Sequence, residues 1–178
     1  WLPTYFNQIL KVDLASLGGA KTVPYLVMFL MSNVGGWAGD WFIHKRHYSV
    51  GAGRKAVNTI GFVTSAISLM LMPGARSIGY GVFVTTLTLG CLGFSRGGFS
   101  VNHMDIAPKY AGVVMGISNT AGTVSGVIGV AVTGYILDSF GGASNVHGWY
   151  VAHTAAASIC VAAMLVFNVF ARGERVFD

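Results

Sequence analysis

The chain has 178 residues, of which 53% are hydrophobic and only 10% charged, with a mean hydropathy of +0.63. Soluble domains carry roughly 25% charged residues, so the composition excludes an ordinary water-soluble fold. The net charge of +5 suggests nucleic acid at first, but the cations sit between apolar runs instead of forming one face, and no nucleic-acid partner is expected.

Residues 1–10, WLPTYFNQIL, read as the tail of a span that begins upstream; the chain starts at Trp1, and a C-terminal part of a longer protein is expected. Five long apolar runs follow, at about 22–43, 56–72, 77–101, 111–137 and 149–171. Each approaches or exceeds the roughly 17–25 residues that cross a bilayer as a helix, whereas buried strands give runs of about 4–8. The expectation is an all-α membrane protein, with one partial and five complete spans in a single lipid-embedded bundle. The links at 73–76 and 138–147 leave no room for a soluble domain. Cys91 and Cys160 lie singly inside apolar runs and read as small packing residues. No Cys/His spacing suggests a metal, so no cofactor is expected.

The link after the first complete span carries His44-Lys45-Arg46-His47 and then Arg54-Lys55. Short loops rich in Lys and Arg stay on the cytoplasmic or equivalent side. Alternation from there puts Lys109, Arg172 and Arg175 on that same side, while Lys11, Lys21 and Arg76 fall opposite. Arg96 alone is left within a span.

That first complete span ends Gly35-Gly36-Trp37-Ala38-Gly39-Asp40-Trp41. Small residues let helices approach closely, and a carboxylate at the membrane edge is favoured at the N-terminus of a neighbouring helix; a solvated helix end with a basic anchor is the plainer reading. Further on, Asn102-His103-Met104-Asp105 interrupts apolar sequence, where polar groups need a water-lined path or a role in gating. His103 is a residue type suited to coupling protonation to gating, and Asp105 is expected either to meet a basic partner on an opposite half or to belong to a helix-end cluster that starts the next helix. Arg96, about two turns earlier, is costly to bury unpaired. Its guanidinium suits a carboxylate or phosphate, while snorkelling or a structural pair remains open. In the run at 111–137, Gly112, Gly116, Gly122 and Gly126 are spaced four apart in two pairs, which suits close helix contact, moving or static. Asn119 in the same run needs a hydrogen-bond partner, either a substrate or a neighbouring helix.

Gly36 and Asp40 with the following basic residues resemble, in part, the G-x-x-x-D loop motif of the major facilitator superfamily; Trp41 departs from the usual basic residue. The tract from Phe99-Ser100-Val101-Asn102-His103-Met104-Asp105-Ile106-Ala107-Pro108 to Tyr110-Ala111-Gly112-Val113-Val114-Met115-Gly116-Ile117-Ser118-Asn119 is similar to the anion:cation symporter family, as are Trp1-Leu2-Pro3-Thr4-Tyr5-Phe6 and Phe170-Ala171-Arg172-Gly173-Glu174. That family includes vesicular glutamate transporters, sialin, and plant plastid phosphate and ascorbate transporters. The stretches Asn119-Thr120-Ala121-Gly122 and Thr133-Gly134-Tyr135-Ile136-Leu137 are most like the plastid branch.

The resemblance implies the C-terminal six-helix half of a twelve-helix major facilitator fold. The fourth helix of the half would line the substrate path and the fifth would pack across the interface between halves. It implies secondary transport of an inorganic or organic anion such as phosphate, ascorbate or a carboxylate, by alternating access, coupled to Na⁺ or H⁺. The implied partners are a small anionic substrate, the bilayer and an N-terminal six-helix half; a plastid envelope or thylakoid is the implied membrane. Arg96, where related transporters usually carry a small or apolar residue, is a candidate substrate ligand on its own chemistry and not from the family. Asn102 and Asn119 are further candidate ligands, Asp40, His103 and Asp105 candidate gating or coupling groups, and the four glycines candidate interface residues. The alternative is a truncated, non-transporting membrane protein with a structural or regulatory role. An intramembrane enzyme is disfavoured, because no nucleophile–base pair stands out.

Overall fold

A computed structural model describes residues 1–12 and 14–176, the side chains of 14–17 apart. Among these residues six α-helices follow one another: α1 Leu2–Gln8, α2 Val23–His44, α3 Val50–Leu71, α4 Ile78–Ile106, α5 Ala111–Ser139 and α6 Val146–Phe170. Short 3₁₀ segments, Leu14–Lys21, Met72–Gly74 and Pro108–Tyr110, fill the links. Among the described residues the molecule is an all-α bundle with no strand. Four stretches are long and apolar enough to cross a membrane: Val50–Gly74, Ile78–Ile106, Pro108–Ser139 and Val146–Phe170. Helix α2 has the length, 22 residues, but Ser32, Asn33, Asp40 and its glycines dilute its apolar character.

Helix boundaries follow capping chemistry more closely than hydropathy. The side chain of Ser49 accepts a hydrogen bond from the Ala52 backbone at 3.2 Å, so α3 begins well before the apolar run at 56, and Arg54 and Lys55 belong to the helix instead of the loop. Ser77 caps α4 through the Tyr80 N–H, and Asn145 caps α6 through that of His147. Such side-chain oxygens satisfy donors that a helix start leaves unpaired. At its other end α4 continues beyond 101 to Ile106. Pro108 disfavours helical geometry in the residue before it, and the chain turns at Ala107 (φ −144°, ψ 68°). Asn102, His103 and Asp105 therefore form the last turns of α4, and Asp105 does not start the next helix.

Helix α4 is the spine. It packs along α2 on one side and α3 on the other, with α6 against the outer face of α3. Glycine makes the α2–α4 crossing possible: a methyl on Gly35 would strike the Phe94 backbone, and one on Gly97 would strike the backbone of Gly35. Between α3 and α4, Gly98 lies against the Arg54 carbonyl and Asn58. An aromatic cluster closes the opposite end. Tyr5 is 1% exposed, donates its hydroxyl to the Met72 carbonyl at 2.8 Å and stands edge-on to Trp149 with ring centres 5.1 Å apart.

Helix α5 stands apart. Leu137 is the one buried residue among its described side chains, and Ile117, Val127 and Tyr135 are 67%, 68% and 76% exposed. So much uncovered apolar surface belongs in lipid or against another protein surface, not in water.

Candidate functional site

The polar centre of the bundle is built on Arg54. This residue lies in the second turn of α3, and Gly53 just before it lets α2 come close, since a methyl there would strike the Ile43 side chain. Its Nε donates to Asp105 Oδ2 at 2.8 Å and its Nη2 to Asp105 Oδ1 at 3.3 Å, a two-pronged pairing. Its Nη1 reaches Asp40 Oδ1 at 3.4 Å and the Gly97 carbonyl at 3.5 Å. One guanidinium thus ties the ends of α2, α3 and α4. The side chains of Arg54 and Asp105 are 7% and 18% exposed, that of Asp40 59%. Asp105 is the inner partner and Asp40 the rim partner. With its donors engaged by two carboxylates and a carbonyl, Arg54 suits a charge latch better than an anion ligand.

Sequence reading placed Arg54 in a loop and sought Asp105's partner on an opposite half. The structure puts that partner in the same bundle, one helix away. Two features of the sequence pointed there: a serine three residues before Ala52, which starts the helix early, and the glycines Gly51 and Gly53 that precede the arginine. Asn58, one turn beyond Arg54, was also missed; it is fully buried, and neither its amide nitrogen nor its oxygen has a hydrogen-bond partner.

The other expected residues are spread out. His103 Nε2 lies 3.0 Å from Ser118 Oγ, linking α4 to α5, while its Nδ1 is buried without a partner. Asn102 is 6% exposed and donates its amide to the Arg172 carbonyl at 2.8 Å. Asn119 is exposed on α5. Methyls placed on Gly112, Gly116, Gly122 or Gly126 would meet nothing within 4 Å, so these glycines serve no contact inside this bundle. Close interhelical glycine contacts fall instead at Gly35, Gly61, Gly93, Gly97 and Gly98.

Arg96 is exposed and makes no ion pair or side-chain hydrogen bond among the described residues. Helical periodicity places it on the same stripe of α4 as Leu89 and Thr85. Those two side chains line a cavity of about 230 Å³ together with Leu2, Tyr25, Leu69, Met72, Thr88 and His153. Seven residues separate Arg96 from Leu89, about 10 Å along the helix. Helices α1, α2, α3, α4 and α6 and the 3₁₀ turn at Met72 each contribute side chains to it.

No family model matches the chain. Over its whole length it is 45% identical to "Probable anion transporter 6" of Oryza sativa subsp. japonica, covering 42% of that protein. It is 37% identical to "Ascorbate transporter, chloroplastic" and 36% identical to "Sodium-dependent phosphate transport protein 1, chloroplastic", both of Arabidopsis thaliana, with all of the chain and 31% and 33% of those proteins covered. The chain thus spans less than half the length of these curated relatives.

Proposed function

We infer from its membership of the anion:cation symporter family of the major facilitator superfamily that this multi-pass membrane chain forms one six-helix side of a secondary transporter for a small anion. Phosphate, ascorbate or a related carboxylate is the proposed substrate class and Na⁺ or H⁺ the coupling ion. The second side is a further six-helix bundle that α5 would face, and the membrane is a plastid envelope. The names of the relatives support the anion, and two of those quoted support the plastid.

The contrast between two arginines carries the reading. Arg54 is neutralised and locks helices together, whereas Arg96 is exposed, unpaired among the described residues, and lies on the stripe that leads to the cavity beside Leu89. An unpaired guanidinium at membrane depth is costly unless it borders water or binds an anion. Rocking two bundles about a midplane site would expose that stripe to each side in turn, with the Arg54 latch holding the basic-side ends of α2, α3 and α4 together throughout.

The test is uptake of phosphate, ascorbate and glutamate by the reconstituted protein under Na⁺ and H⁺ gradients. Arg96→Ala is expected to weaken apparent affinity for the transported anion by about 10- to 100-fold, the loss of a hydrogen bond to a charged partner. Affinity and rate equal to those of the unaltered protein would remove Arg96 from the site. No uptake of any of the three anions under either gradient would count against the transport reading itself.

A further inference from the structure

The segment that follows α6 lies back across the basic-side ends of α3 and α4. Three contacts hold it. The Asn102 amide on α4 donates to the Arg172 carbonyl at 2.8 Å. The Val176 N–H donates to the Ile106 carbonyl, also at 2.8 Å, where α4 ends. Between these, Gly173 presses on the first turn of α3; a methyl at Gly173 would lie 2.7 Å from the Gly51 Cα and closer still to its nitrogen. Elsewhere the segment does not pack tightly against α3, since a cavity of about 610 Å³ lies between Ser49–Ala52, Lys55 and residues 171–174.

These anchors surround the latch. Asp105 lies between Asn102 and Ile106 on α4, and Arg54 is three residues beyond Gly51 on α3. We propose that residues 172–176 are a strap that clamps α3 to α4 and holds the Arg54–Asp105 pair shut, with Asn102 as its positioning residue. The strap is fastened through backbone groups, so its charged side chains stay exposed while Gly173 and Asn102 are the positions that matter. Behind the latch lies Asn58, whose buried and unpaired amide makes water entry favourable once the ends of α3 and α4 part. This inference does not depend on the transport reading; it would hold for any protein built on this bundle.

Ser95→Cys, at a site 1% exposed in the α3–α4 contact, reports water entry through its rate of reaction with a water-soluble methanethiosulfonate. The background is the lipid-reconstituted protein with Cys91 and Cys160 replaced by alanine. Ending the chain after Ala171, and Gly173→Val by itself, are each expected to speed labelling about five- to tenfold, in line with the loss of one or two hydrogen bonds. Gly36→Val, where a side chain meets open space, is expected to leave the rate unchanged. Asn102→Leu is expected to match the shortened chain and to add nothing when combined with it. Unaltered labelling in the shortened chain and in Gly173→Val overturns the strap. Additive effects of Asn102→Leu and the shortening overturn the role of Asn102 within it. Should the shortened chain not assemble, Gly173→Val and Asn102→Leu form the same cycle.

Discussion

Arg54→Ala is expected to destabilise the bundle by about 3–5 kcal/mol, the usual result of removing one member of a buried ion pair and stranding the other. In a detergent-solubilised sample of this size that is a fall in unfolding temperature of the order of 10 °C. The mechanism is specific. Asp105 would be left in a largely buried site without its donor, and three helix ends would lose their common tie. Arg54→Lys is expected to rescue little, because an ammonium cannot reproduce the two-pronged contact with Asp105. Asp105→Asn should be nearly as damaging. Asp40→Asn should cost no more than about 1 kcal/mol, since that carboxylate is 59% exposed and solvent screens it. Equal losses for Asp40→Asn and Asp105→Asn would show that the latch is not the asymmetric pair described above.

The second large effect is steric. Gly97→Val would drive a side chain into the Gly35 backbone, and neither helix can give without parting along the whole α2–α4 contact. Overpacking of this kind typically costs about 1–3 kcal/mol, and here it would also pull the Gly97 carbonyl away from Arg54. Gly116→Val offers the contrast. Its surroundings are open, so the unfolding midpoint of the bundle should stay within about 0.5 kcal/mol of the parent. Under the proposed function the same change should impair anion uptake by the complete protein, because α5 would then meet a second bundle. Paired melting and uptake measurements on the two variants separate a glycine that holds this bundle together from one that faces outward. Full uptake by Gly116→Val would argue against the interface role of α5.

Much of the architecture was legible in the chain. The apolar runs of α3 to α6, and the polar interruption at Asn102–Asp105, are local signals of length and composition, and they fell on helices. Helix ends were less legible. The Ser49 cap extended α3 through its polar first turns, and Pro108 stopped α4 later than hydropathy suggested. The candidate site was legible only in part. Asp40 and Asp105 stand near helix ends and share Arg54, a residue whose place in the sequence reads as a loop anchor. The spacing of α5's glycines predicted close contact, and within this bundle the close contacts belong to α2, α3 and α4 instead.

What the sequence alone determined is the solvent, since long apolar helices require lipid; the placement of Lys and Arg gives an expected orientation. Both follow from properties of single segments. Which charges meet, and which glycines touch, was left to the tertiary structure. Arg54 lies 14 residues from Asp40 and 51 from Asp105; they converge because Gly35, Gly97 and Gly98 let three backbones approach until one guanidinium spans them all. No local pattern encodes that distance, since it depends on how closely separate helices can cross.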